Sequence, residues 1–92
     1  MDSNFSSRPQ KLDSDSESQL ESFLVLHNDE VNTFEFVMET LVEVCKHSSN
    51  QAEQCATIAH YKGKCEVLTG EMSELKEIRS ELITRGLKAT IE

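Results

Sequence analysis

Basic residues are scarce in this chain. Nine Lys and Arg stand against seventeen Asp and Glu, for a formal net charge of -8. Phosphate binding needs clustered Lys and Arg, so DNA and RNA are excluded as main partners, and an anionic membrane surface is disfavoured. Long apolar runs are missing too, and nothing approaches the ~20 residues of a membrane span. The first residues, MDSNFSSRPQKLDSDSES, lack the apolar core of a secretory leader. Cysteine is sparse and unpaired. Cys45, Cys55 and Cys65 lie ten residues apart and never form C-x-x-C, whereas zinc ligands usually come in close pairs. Each sits in an apolar pattern, so buried reduced thiols and a reducing cytoplasm are expected, with no metal or cofactor. Length is short as well. A chain of 92 residues makes one small domain that buries only about 60–65% of its unfolded surface, too little for a deep active site around a large cofactor.

What is present divides near residue 22. Residues 1–22 are rich in Ser, carry Asp2, Asp13, Asp15, Glu17 and Glu21, and hold the sole proline, Pro9. Such a segment buries too little apolar surface to offset its ordering entropy, and a disordered tail is expected. Residues 23–92 read as a folded core.

Within the core the punctuation is dense. Residues 22–27 predict a strand. Asn32-Thr33-Phe34-Glu35 has capping-box form, with Asn32 as the cap. The helix that follows runs to about Lys46, with Val37, Leu41, Val44 and Cys45 inward. Ser48-Ser49-Asn50 caps a second helix over about 50–61, whose inward face is small: Ala52, Cys55, Ala56 and Ala59. Gly63 stops it. Residues 64–68 predict a short strand. Thr69 is expected to cap a third helix over about 71–85, with Met72, Leu75, Ile78, Leu82 and Ile83 inward, and Arg85-Gly86 ends it. Leu87, Ala89 and Ile91 alternate as a last strand. The order is β-α-α-β-α-β: an α+β, two-layer fold with a three-stranded antiparallel sheet packed against three helices.

The stretch "LHNDEVNTFEFV", residues 26–37, sets Asn28, Asp29 and Glu30 between a strand and a helix. Read locally, such residues bond nearby backbone N–H groups and form a turn. A second stretch, "ATIAHYKGK", residues 56–64, puts His60 beside Ala56 and Ala59, where small side chains would leave a recess. Read alone, a helical His such as His60 is structural or merely exposed.

"LHNDEVNTFEFV" and "IAHYKGK", followed by "LTGEMSELK", resemble the ClpS adaptor family in order and spacing over residues 23–92. The resemblance implies an adaptor, not an enzyme. It implies binding of N-degrons, substrate N-termini with a destabilising first residue such as Leu, Phe, Tyr or Trp. It implies delivery, as a monomer, to the N-terminal domain of an Hsp100 Clp unfoldase, ClpA or ClpC. Carried over by position, Asn28, Asp29 and His60 hold the substrate α-amino group. Phe34, Val37, Ala56, Ala59 and Leu87 form the pocket, and Asn32 meets the substrate backbone. Val31, Glu71 and Lys76 contact the unfoldase. The sequence departs from the family where Thr-Pro-Met is replaced by Asn32-Thr33-Phe34, and where Ala56 and Ala59 replace larger residues. Two other readings stand beside this one. A non-catalytic interaction domain of the same fold, like that of the ribosomal stalk protein, would not read N-termini. An enzyme built on Asp29 and His60 lacks a nucleophile in any recognisable elbow.

Overall fold

The computed structural model describes residues 21–92; the tail expected over 1–22 lies, up to residue 20, outside the described residues. The elements are β1 Ser22–His27, α1 Phe34–Cys45, α2 Ser49–Lys62, β2 Lys64–Gly70, α3 Met72–Thr84 and β3 Lys88–Ile91. β1 is the central strand of the sheet, antiparallel to β2 on one side and to β3 on the other. Ser22 already pairs with Gly70, so the ordered core begins inside the segment assigned to the tail. The fold is α+β, with three helices and a three-stranded antiparallel sheet.

Leu24 and Leu26 on β1, Leu41 on α1, Leu75 and Leu82 on α3, and Val67 on β2 share one buried cluster. Cys45, Cys55 and Cys65 are buried free thiols in the same cluster. Burial pushes Cys45 up to about 11 and Cys65 up to about 12, so neither is a ready thiolate at neutral pH. Ala52, Cys55, Ala56 and Ala59 are the buried residues of α2. Their small size lets that helix lie close to its neighbours.

Four local expectations are corrected. Thr33, not Asn32, is the N-cap of α1, and its Oγ1 accepts from the Phe36 N–H at 3.0 Å. A hydroxyl one residue later meets the third helical N–H as well as Asn32 would, and Asn32 is drawn into the preceding turn instead. Thr69 lies within β2, which runs on to Gly70, and Glu71 takes the cap position of α3 without a side-chain capping bond. Met72 and Ile83 are 46% and 51% exposed, because only the stripe through Leu75, Ile78 and Leu82 meets the sheet. Leu87 is buried at 3% exposure, as its place in the alternation with Ala89 and Ile91 predicts.

The cap gives a stability test. Thr33→Ala removes the acceptor for Phe36 N–H, and a lost cap costs typically about 1 kcal/mol. A domain of this size should then melt about 4–8 °C lower. Calorimetry checks it; an unchanged melting temperature would mean that water serves the N–H equally well.

One feature escaped sequence reading. The β1–β2 register shifts between Leu24 and Val25, leaving Val67 as an extra residue on β2. A bulge of this kind releases a carbonyl from the ladder. His47, buried in the core, donates from Nε2 to Val67 O at 2.7 Å. A carbonyl only accepts, so the proton resides on Nε2 and Nδ1 is left without a partner.

Candidate functional site

The site is built where β1 ends. Its last residue, His27, pairs with Lys64 on one side and Lys88 on the other. Beyond it the Asn28 N–H donates to Gly63 O at 2.9 Å. That bond holds Asn28 against the link between α2 and β2. Gly63 turns that link with φ 97°, a conformation that L side chains rarely adopt.

Asp29 closes the turn. Its Oδ1 accepts from the Val31 N–H at 2.9 Å and from the Asn32 N–H at 2.8 Å, and its Oδ2 accepts from Asn32 Nδ2 at 3.2 Å. The local reading of Asp29 is therefore realised, since the carboxylate organises its own turn. An ionised carboxylate has about four lone-pair sites, so one remains on Oδ2. Partial burial works to raise its pKa. The backbone and side-chain bonds from Asn32, the Val31 N–H and the charge of Lys88 outweigh that, and the carboxyl sits below its ordinary value of 3.8. Asp29 therefore stays anionic throughout the neutral range. Asn32 Nδ2 also donates to Gly86 O at 2.9 Å, fastening the turn to the connection between α3 and β3.

This turn forms one wall of an open recess of about 700 Å³. Asn28, Asp29, Glu30, Asn32 and His27 supply its polar side. Phe34 and Val37 on α1, Ala56 and Ala59 on α2, and Leu26 on β1 supply its apolar side. His60 lies on the last turn of α2 and lines the same recess, its ring edge-on to Tyr61 at 4.8 Å between centroids and 83° between planes.

The structure thus brings Asn28, Asp29, His60, Asn32, Phe34, Val37, Ala56 and Ala59 around one space. It does not bring Leu87 there. That residue lines a shallower groove on the other side of Asn28, together with Ile83, Lys88 and Thr90. Val31, 89% exposed in the turn, Glu71, exposed at the cap of α3, and Lys76, exposed on α3, lie outside the recess. Thr57, Tyr61, Leu26, His27 and Glu30 also line it, and sequence reasoning missed them. Helical spacing carried a signal for Thr57, which stands one turn before His60 and Tyr61 on α2. Tyr61 is 79% exposed at the rim of the recess.

Chemically the recess joins a retained negative charge and neutral acceptors to an apolar floor of small residues. Among the described residues no group of three or more His, Cys, Asp or Glu is placed to hold a metal ion. Nor, among them, is any helix long and apolar enough to cross a membrane.

A small α+β domain with a preformed, one-sided charged recess has the form of a binding module. Comparison with known proteins gives the family. The model described as "ATP-dependent Clp protease adaptor protein ClpS" matches residues 18–90, and the chain belongs to the ClpS family. An ATP-dependent Clp protease adapter protein ClpS from Nitratidesulfovibrio vulgaris (strain DSM 19637 / Miyazaki F) is 38% identical over 55 residues, which is 58% of this chain and 55% of that protein. A second, from Edwardsiella ictaluri (strain 93-146), is 38% identical over 55 residues, 58% of this chain and 52% of that one. The chain thus spans about half the length of the curated relatives it matches. Among solved structures, Agrobacterium tumefaciens ClpS2 bound to L-phenylalaninamide superposes with a TM-score of 0.69 at 26% identity, over 78% of this chain and 94% of the other.

Proposed function

We propose that this protein is a Clp protease adaptor that reads N-degrons, holding a substrate by its free N-terminus and a bulky apolar first residue. The observation that carries this is the recess itself, where an anionic turn and His60 share one space with the apolar floor of Ala56 and Ala59. L-Phenylalaninamide, bound by the similar ClpS2, is chemically a first residue cut from its chain, with a free α-amino group, an aromatic side chain and a capped carboxyl. In the reading proposed here the amino group donates to the open lone pair of Asp29 Oδ2, to the Asn28 side chain and to His60. The first side chain lies between Phe34, Val37, Ala56 and Ala59. Burying a Phe or Leu side chain contributes about 1.5–3 kcal/mol, and the charge-assisted bonds add a comparable amount. Both are needed, so internal Phe residues and polar first residues are refused. No covalent step is assigned to any of these groups. The protein works as a monomer in the cytoplasm. It hands its substrate to the N-terminal domain of an Hsp100 unfoldase, ClpA or ClpC, through a face that includes Val31, Glu71 and Lys76.

Fluorescence anisotropy with peptides differing only in residue one tests the reading. Phe, Tyr, Trp and Leu should bind. Ile and Val should bind poorly because branching at Cβ crowds the place where the amino group is held, and Gly should not bind. Ala56→Met adds methylenes to the floor and should weaken Phe and Trp more than Leu, by about tenfold for the loss of a well-packed ring position. A flat response across the panel would remove the first-residue reading. An Ala56→Met variant with wild-type affinities would show that the first side chain lies elsewhere.

A further inference from the structure

The substrate chain must leave the recess somewhere. Ala56 and Ala59 on α2 and Phe34 and Val37 on α1 wall its helical sides. On the opposite side His27 and Asn28 line both the recess and a second groove of about 640 Å³. That groove is floored by Leu87 and Ala89, both buried, and bordered by Ile83, Lys88 and Thr90. Its edge is preset, since His27 Nε2 and Thr90 Oγ1 are 2.8 Å apart. The two spaces therefore meet across the residue pair that ends β1.

The charge of this second groove differs from that of the molecule. In a chain of net charge -8, lysines flank the end of β1 on both sides, because His27 pairs with Lys64 and with Lys88. Lys64 is within 3.7 Å of Glu92. Lys88 is exposed in the groove wall, and its charge is felt at Asp29.

We infer that the groove of Leu87, Lys88 and Thr90 receives the second and third residues of a bound N-terminus, and that Lys88 selects acidic side chains there. This deepens the first-residue reading and rests on it. The charge complementarity is local and exposed, so the preference is modest. Peptides beginning Phe-Glu-Glu should bind about two- to fivefold tighter than peptides beginning Phe-Lys-Lys. The gap should close at about 1 M salt, where the screening length falls to about 3 Å.

The test is anisotropy with these two peptides on the wild type and on Lys88→Glu, with circular dichroism confirming the fold of the variant. The expected result is an acidic preference that Lys88→Glu reverses, while the ranking of first residues is kept. Equal affinity for the two peptides, or an order that Lys88→Glu leaves untouched, overturns the groove assignment alone. Failure of both peptides to bind overturns the first-residue reading with it. Self-association lost in Lys88→Glu, with peptide order unchanged, would assign the groove to a second copy of the chain and overturn the proposal.

Discussion

N-acetylation of a Phe-initiated peptide should cost it about 2–4 kcal/mol of binding, a loss of roughly 30- to 1000-fold. The acetyl group removes the cation and two of the three donors while leaving the aromatic ring unchanged. Asp29 is anionic in the neutral range and already bonded by Val31 and Asn32, so it stands preorganised beside the recess and need not be drawn from solvent. An incoming ring without its amino group would still cover that carboxylate and leave it short of a partner, which is costlier than never having covered it. Titration of the paired peptides measures the difference directly. Equal affinities would mean that the recess recognises a side chain only, and that the polar rim is a turn and nothing more.

The second large effect separates the turn-closing role of Asp29 from its proposed role toward the ligand. Asp29→Ala deletes both the charge and the acceptor that closes the turn. Asp29→Asn deletes the charge but keeps an oxygen for the Val31 and Asn32 N–H groups. Both variants should bind Phe-initiated peptides at least about tenfold more weakly, since each loses a charge-assisted bond. Asp29→Ala should lose the more fold stability, about 0.5–1.5 kcal/mol for the turn bonds, whereas Asp29→Asn loses only the smaller part that depends on the charge. The pH response has a defined sign. The folded-state pKa of Asp29 lies below its unfolded value, so its stabilising contribution is present above about pH 4 and is lost as pH falls through the depressed value. Asp29→Asn should lack that part of the acid dependence. Chemical denaturation at pH 7 and pH 3, with anisotropy alongside, checks both statements. If Asp29→Asn keeps wild-type affinity, the residue is a turn former whose charge does not reach the ligand.

Much of the fold could be read from periodicity, because the buried positions are spaced as their elements require. Leu24 and Leu26 alternate on β1, and Leu41 and Cys45 lie one turn apart on α1. What periodicity misread were positions decided by tertiary contact. Met72 and Ile83 are apolar at helical spacing, yet the sheet offers α3 only a narrow stripe. Thr69 has the chemistry of a cap, but pairing with Phe23 keeps it in β2. Asn32 has the chemistry of a cap as well, and it bonds Asp29 and Gly86 instead. The β2 bulge and the His47 that serves it carry no local signature, since both arise from a register shift between strands far apart in sequence.

The candidate site was legible for a different reason. Asn28, Asp29 and His60 are polar residues at the ends of apolar elements, where chain reversal brings such ends together. Which role Asp29 takes was not legible, because a carboxylate that forms a turn and one that faces a ligand look alike in sequence. Nor was the displacement of Leu87 from the recess. Its neighbour Lys88 pairs with His27, and that register turns the Leu87 side chain into the core and the adjoining groove.

The most direct measurement is a crystal structure of this protein with L-phenylalaninamide. The ligand ring is predicted between Val37, Ala56 and Ala59, with its amino nitrogen within hydrogen-bond distance of Asp29 Oδ2 and its amide directed past Asn28 toward Lys88. A ligand seated outside the recess, or one whose amino group points to solvent away from Asp29, would contradict it.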